Sequence, residues 1–91
     1  SSLPLQYSLY QNYPNPFNPA TTIRYELPHR SKVQIIIYDM LGKKVTTLVS
    51  GIQEAGNQSA GWEATGLPSG VYFYQLRTAG FVQTKKMILL K

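Results

Sequence analysis

The sequence predicts an all-β fold, an antiparallel sandwich of about seven short strands. In most segments the apolar residues alternate with a period of two, and clusters of Gly, Pro, Asn and Asp separate these segments. Composition points the same way, because seven tyrosines and abundant valine, isoleucine and threonine favour strands. Ninety-one residues, 43% hydrophobic and 14% charged, are enough for one ordered domain with a modest core.

The chain is predicted to start with a linker followed by an edge strand. Residues 1–6 read Ser-Ser-Leu-Pro-Leu-Gln, which is typical of a linker or a vector remnant, so that residues 7–91 form the single domain. The segment Tyr7–Gln11 alternates briefly, with Tyr7 and Leu9 on one face. It is therefore predicted to be a short edge strand.

A loop rich in proline and asparagine comes next and excludes both a helix and a central strand. Each proline fixes its own φ, lacks an amide hydrogen and moves the preceding residue to extended geometry. The asparagine side chains can bond nearby backbone groups. We expect a rigid loop anchored by Tyr13 and Phe17, with Phe17 inserted into one end of the sandwich. The prolines and asparagines are Pro14, Pro16, Pro19, Asn12, Asn15 and Asn18.

Two clear strands follow the loop. In Thr21–Leu27, the residues Ile23, Tyr25 and Leu27 point to one face and polar residues to the other, which is the pattern of a half-buried strand. The next strand, Lys32–Asp39, is apolar on both faces. We therefore expect it to be the most buried strand and central in its sheet.

A hairpin is predicted after this central strand. The turn Asp39–Gly42 has Asp at its start and Gly at its end, as a type I turn prefers. The partner strand Lys43–Val49 has Val45 and Leu48 out of phase. This irregularity predicts a β-bulge near Thr46–Thr47.

The remaining segments give a loop and three strands. Ser50–Gln58 contains two glycines and is predicted to be a longer loop. The segment Ser59–Ala64 is a strand around Trp62, the expected central packing residue. Val71–Arg77 and Phe81–Lys91 are predicted to be the last two strands.

The sequence contains no pattern that predicts catalysis, a metal site or a cofactor. The four acidic residues, Glu26, Asp39, Glu54 and Glu63, are scattered over strands, a turn and a loop, so no pair is encoded for glycoside hydrolysis. His29 is the single histidine and there is no cysteine, which excludes a His/Cys zinc set and a disulfide framework.

Charge and aromatic residues leave two further interpretations open. A net charge of +5 fits a solvated strand face, which we favour, or an acidic partner such as nucleic acid or an anionic polysaccharide. Tyr72 and Tyr74 share one strand face, where they serve either as core residues, which we favour, or as a platform for sugar rings.

Five motifs follow one another along the chain and cover nearly all of it, from about Leu9 to Lys91. They are Gln11–Ile23 (QNYPNPFNPATTI), Val33–Asp39 with Gly42, Trp62, Ser69–Tyr74 (SGVYFY) and Thr84–Lys91 (TKKMILLK). In this order they resemble the C-terminal sorting domains of type IX secretion (the Por secretion system), which end many exported proteins of Bacteroidetes.

The resemblance implies an immunoglobulin-like β-sandwich that acts as a non-catalytic address. It implies a cargo domain upstream in the same polypeptide, which is exported through the periplasm to the cell surface or secreted. The implied partners are the outer-membrane secretion machinery and a sortase-like peptidase that removes the domain and attaches the cargo to surface lipopolysaccharide. Nucleic acid is not an expected partner, and a weak homodimer through an open edge strand is a further expectation.

The resemblance also assigns roles to particular residues. A basic pair before an apolar run suits an edge strand that adds to a partner's sheet. The expected recognition element is therefore Thr84, Lys85, Lys86, Met87, Ile88, Leu89, Leu90 and Lys91. The residues that match the structural signatures are Pro14, Asn15, Pro16, Phe17, Asn18, Pro19, Gly42, Trp62, Gly70, Tyr72 and Tyr74.

Two alternative functions remain beside this one. The first is a carbohydrate-binding or adhesion module of a secreted hydrolase, which would use the tyrosines or Trp62. The second is a structural Ig-like domain of the flagellar hook-capping type, which would follow helical assembly segments in its parent protein.

Overall fold

Seven strands form two antiparallel sheets in the computed structural model, which describes residues 3–91. One sheet has the order β1-β2-β5 and the other the order β4-β3-β6-β7. The predicted all-β antiparallel sandwich of seven strands is thereby confirmed. The strands are β1 (Ser8–Leu9), β2 (Ala20–Leu27), β3 (Ser31–Tyr38), β4 (Lys44–Gln53), β5 (Gly56–Glu63), β6 (Gly70–Arg77) and β7 (Val82–Leu89).

The strands with the cleanest alternation contribute most of the core. In β2, the side chains of Ile23, Tyr25 and Leu27 are buried as predicted. The strand β3 lies between β4 and β6, so its predicted central position is also confirmed. Its outward-facing residue Ile36 remains only 7% exposed, which explains why both faces of this strand are apolar in the sequence.

The predicted bulge in β4 is present, and it occurs twice. Val49 pairs with Ile35 and Thr47 with Ile36, so that Leu48 is an extra residue. A second shift leaves Val45 without a partner between Thr46 and Lys44. These are the two residues that break the alternation in the sequence, and both pack against the core because each bulge restores their inward direction.

The long loop predicted over Ser50–Gln58 is wrong. Strand β4 continues to Gln53 and β5 begins at Gly56, so only Glu54 and Ala55 connect them. The glycines mark a corner where the chain leaves one sheet and joins the other, and Gly51 and Gly56 have φ of 144° and 116°. Polar edge strands of this kind lack the apolar alternation that identifies a strand in sequence.

Trp62 packs at one end of the sandwich and is not the centre of the core. It lies near the end of β5, with its ring centroid 5.8 Å from that of Phe17 and 6.0 Å from that of Tyr72. We call this the proline-loop end, because the loop of residues 10–19 between β1 and β2, the proline loop, lies there. The opposite end is closed by Tyr7, whose ring stacks on Phe81 at 5.4 Å and meets His29 edge-on at 5.7 Å.

The linker predicted over residues 1–6 is only partly described. Residues 1 and 2 lie outside the described part of the chain, and residues 3–6 precede β1 without joining a sheet. Leu3 and Leu5 expose 58% and 97% of their surface. The chain described here contains no helix with the length and apolarity needed to cross a membrane.

Candidate functional site

The C-terminal strand β7 is an edge strand of the four-stranded sheet, and its two faces differ. It pairs with β6 alone in that sheet. Because side chains alternate along a strand, Met87 and Leu89 point into the core, where both are fully buried. Thr84 and Lys86 point to solvent, and Leu90 beyond the strand exposes 53% of its surface. The predicted recognition segment therefore mixes core residues with accessible ones.

The outer edge of β7 is covered over its second half by the proline loop. The carbonyl of Lys86 accepts a bond from the Gln11 side chain at 2.7 Å, and the Ile88 amide donates to Asn15 Oδ1 at 3.0 Å. Phe17 then forms a parallel bridge with Leu89: its amide donates to the Ile88 carbonyl and its carbonyl accepts from the Leu90 amide, both at 2.9 Å. The proline loop thus occupies the position that a further strand next to β7 would take.

The first half of the same edge is uncovered. In antiparallel pairing, alternate residues turn their backbone groups away from the partner strand. On β7 these include Val82 and Thr84, and within residues 3–91 no backbone bond joins them to a further strand. An incoming strand could therefore add to this short stretch, whereas Lys86–Leu90 is occupied in the folded domain.

Tyr74 holds the proline loop against the core. Its hydroxyl accepts a bond from the Asn12 amide at 2.8 Å and donates to the Tyr10 carbonyl at 2.6 Å. The side chain is fully buried, and desolvation by burial raises the pKa of Tyr74 to about 12, although the hydrogen bond from Asn12 opposes that shift. Tyr74 is thus a core residue that also orders the loop, and it cannot serve as a sugar-stacking platform.

Asn12 is a buried polar residue: sequence reasoning predicted the bond of its side chain to nearby backbone, but missed its burial. It exposes 2% of its surface. Its side-chain nitrogen Nδ2 donates to the Pro14 carbonyl at 3.1 Å and to Thr21 Oγ1 at 2.9 Å, and its Oδ1 accepts from the Gln11 side chain at 2.8 Å. All its bonding groups are satisfied, so burial carries no unpaired polar atom. The spacing to Thr21 across the loop is the one signal that the sequence offers.

The expectation that Tyr13 anchors the loop is wrong, while that for Phe17 is confirmed. Tyr13 exposes 79% of its surface and Phe17 exposes 1%. Both backbone groups of Tyr13 pair with Thr22, which continues the alternation along β2. Since Asn12 takes the inward position, the next side chain must point outward.

Three of the signature residues outside the proline loop, Gly42, Gly70 and Tyr72, lie in a turn, at the start of a strand and in the core. Gly42 follows the β3–β4 turn with φ of 83°, and its amide donates to the Asp39 carbonyl at 3.0 Å. Gly70 begins β6 with φ of 148°. Tyr72 exposes 5% of its surface and donates to the Pro68 carbonyl at 2.8 Å, so it too is a core residue. Desolvation raises its pKa, and the charge of Asp39 adds to that shift.

The other signature residues belong to the loop itself. Pro14 accepts two of the hydrogen bonds that order it, one from Asn12 and one from Thr21 Oγ1 at 2.9 Å. Among the signature residues of this loop, Pro14, Asn15, Pro16 and Asn18 are exposed, and Pro19 is half-buried. The Pro19 carbonyl accepts a bond from the Ala64 amide at 2.9 Å, which ties the loop to the end of β5.

The acidic residues are dispersed over the described surface. Glu54 pairs with Arg30 at 3.3 Å, Glu63 accepts from Thr65, and Asp39 Oδ1 accepts the amides of Leu41 and Lys43 within its own turn. No three His, Cys, Asp or Glu side chains of residues 3–91 gather where they could hold a metal ion.

Comparison with known proteins decides the family. The family model described as "Secretion system C-terminal sorting domain" matches residues 11–90. The chain belongs to this family. No curated protein and no solved structure matches it.

The matched region runs from the proline loop to the end of β7, so it contains both this loop and the strand whose edge the loop covers. As a type IX sorting domain, the chain is a C-terminal signal that marks a cargo polypeptide for secretion across the outer membrane, to the cell surface or into the medium. The family is not a known catalytic one.

Proposed function

We propose that this sorting domain is a non-catalytic address and that the secretion machinery reads its C-terminal segment, Thr84–Lys91. The observation that carries the proposal is the position of β7 at the edge of the four-stranded sheet, with Lys86, Leu90 and Lys91 exposed. An edge strand offers side chains and unpaired backbone groups together, which is the basis of strand addition between proteins.

The proline loop limits which backbone and side-chain groups of Thr84–Lys91 a partner can contact. Along the edge of β7, strand addition to the folded domain is confined to Val82 and Thr84, because the proline loop occupies the rest of that edge through Gln11, Asn15 and Phe17. Beyond that stretch, a partner contacts side chains alone. Met87 and Leu89 contribute indirectly by fixing β7 in the core, and Lys85 and Ile88 are half-buried.

The dispersed acidic residues support a non-catalytic role. A nucleophile requires an adjacent base, and paired carboxylates require a shared cleft. His29 bonds only locally, to the Arg30 carbonyl and the Ser31 hydroxyl. The Ser31 hydroxyl is not activated by this ring, because it donates its proton to the His29 carbonyl at 2.8 Å and lies 3.5 Å from Nδ1.

Removal of the domain by a sortase-like peptidase, followed by attachment of the cargo to surface lipopolysaccharide, is part of the proposal. The exposed residues around Leu3 and Leu5 precede the first strand and are accessible to a protease without unfolding the sandwich. A homodimer through β7 would be weak, because only Val82 and Thr84 offer free backbone groups.

The test is export of a reporter that carries this domain at its C-terminus in a bacterium with a working type IX system. The variant Lys86→Glu/Leu90→Ser/Lys91→Glu changes only exposed side chains, so the core remains intact. We expect this reporter to remain in the periplasm. A matched control, Lys32→Glu/Ile52→Ser/Lys43→Glu, makes equivalent changes on β3, on β4 and in the β3–β4 turn, at exposed side chains outside the Arg30–Glu54 ion pair, and should be exported. Normal surface delivery of the first variant would contradict the proposal.

A further inference from the structure

The positive charge of the domain is concentrated on one face. The outward positions of the four-stranded sheet carry Lys32, Lys44, Arg77 and Lys86 and no carboxylate. The outward positions of β2 and β5 in the other sheet carry Arg24 with two carboxylates, Glu26 and Glu63. An anionic partner would therefore be attracted to one face of the domain.

A single row of residues crosses the basic face. The strand register places Lys44 beside Tyr38, Tyr38 beside Phe73, and Phe73 beside Lys86. Adjacent strands lie about 4.8 Å apart, so the two lysines are separated by roughly 14 Å at their Cα atoms, with two aromatic residues between them. Tyr38 and Phe73 are half-buried, which makes the middle of the row an apolar strip level with the sheet.

The neighbouring rows of the same face also carry polar and basic side chains. The next row contains Ile36 and Gln75, and the Gln75 side chain donates to Thr84 Oγ1 at 3.0 Å. Beyond it, Lys32, Gln34 and Arg77 line an open groove of about 450 Å³ with the turn that follows β6. Two cations with an amide between them offer hydrogen-bond donors to carboxylate, sulfate or phosphate groups.

We propose that this face binds an acidic polysaccharide. The lysines and Arg77 would pair with the acidic groups of the chain, and sugar rings would lie on the flat strip formed by Tyr38 and Phe73, since aromatic faces accept the apolar faces of sugars. A lipid bilayer fits less well, because insertion requires a continuous apolar face. The apolar residues at the centre of this face are buried or half-buried, and the exposed ones, Ile52 and Val82, lie apart on the edge strands β4 and β7. The four-stranded sheet is thus a larger binding surface, and it overlaps the exposed residues of the recognition segment at Lys86.

The test uses the purified 91-residue chain and polygalacturonate, with neutral dextran and vesicles containing anionic phospholipid as comparison probes. Binding is measured by affinity electrophoresis and calorimetry at two salt concentrations. We expect binding to polygalacturonate that weakens with salt, because exposed charges are screened. Little or no binding to dextran or to the vesicles is expected.

Three double variants separate the contributions of charge and of stacking. Lys44→Gln/Lys86→Gln should weaken binding about fivefold for each lysine. The matched control Arg24→Gln/Lys85→Gln removes the same charge outside the face, since Lys85 points to the opposite side of β7 from Lys86, and should bind as the unchanged chain does. Tyr38→Thr/Phe73→Thr keeps strand-forming residues and should weaken binding about tenfold through lost stacking.

Several results would overturn the proposal. They are the absence of binding to polygalacturonate at low salt, an equal loss in the control pair, or binding unchanged by Tyr38→Thr/Phe73→Thr. Binding to anionic vesicles without binding to the polysaccharide would assign the face to a membrane surface instead. Since the measurement needs no secretion machinery, its failure leaves the export test of Thr84–Lys91 unaffected.

Discussion

Phe17 and Leu89 form a parallel β-bridge, which joins the proline loop near the start of the chain to the last strand. Both side chains are buried, so the bridge is reinforced by core packing on the same residues. The segment that identifies the family and the segment proposed as the address are therefore one structural unit. Any change that frees the proline loop also changes the edge of β7 that a partner meets.

Truncation of Phe17 should be costly, whereas truncation of Tyr13 in the same loop should not. We expect Phe17→Ala to lower the free energy of unfolding by about 3–5 kcal/mol, since it removes a buried aromatic side chain and leaves a cavity beside Trp62. Tyr13→Ala should change it by less than about 0.5 kcal/mol, because the side chain is 79% exposed. Urea unfolding measures both, and an equal loss in the two variants would refute the assigned anchor.

The side chain of Asn15 should protect the Ile88 amide from hydrogen exchange. Asn15→Ala removes the acceptor at 3.0 Å, so the Ile88 amide should exchange at least about tenfold faster in NMR measurements. Asn15→Asp retains an oxygen at this position and should preserve protection. The Thr84 amide, on the uncovered part of the edge, should exchange fast in every variant; slow exchange there would mean that another group covers it.

Removal of the Tyr74 hydroxyl should destabilise the domain. Tyr74→Phe leaves the Asn12 amide and the Tyr10 carbonyl without their partner, at a cost of about 1–3 kcal/mol in the free energy of unfolding. The comparison variant Tyr72→Phe removes a single bond, to the Pro68 carbonyl, and should cost less. The reverse order in urea unfolding would show that the proline loop does not depend on Tyr74.

Tyr74 should also make the domain lose stability in alkali. Burial raises the pKa of Tyr74 to about 12 from an ordinary value of 10.0. Below pH 10 both the folded and the unfolded chain keep the proton, so stability does not depend on this group there. Between about pH 10 and 12 only the unfolded chain releases it, and the free energy of unfolding should fall by about 1.4 kcal/mol for each pH unit.

The matched comparison for this pH dependence is the Tyr74→Phe variant. Burial also raises the pKa of Tyr25, so Tyr74 is not the sole source of pH dependence in alkali. The difference in unfolding free energy between the two proteins isolates the contribution of Tyr74. It should shrink as the pH rises through the window, and a difference that stays constant would contradict the assigned pKa.

Much of the fold was predictable because it depends on local alternation. Strands β2, β3 and β6 each bury every second residue, and a period of two is visible in sequence. Even the two bulges of β4 left a trace at Val45 and Leu48. The corner between β4 and β5 was missed, since edge strands with glycine and polar residues lack that period.

The sequence by itself determined the family, the strand pattern and the position of Phe17 in the core, because each depends on neighbouring residues. Tertiary structure alone decided which parts of β7 remain accessible, since hydrogen bonds from Gln11, Asn15 and Phe17 cross more than seventy residues of chain to reach it. It also decided that Asn12 is buried and Tyr13 exposed, and that four cations share one sheet face. Such relations depend on strand register and sheet order, which no local pattern encodes.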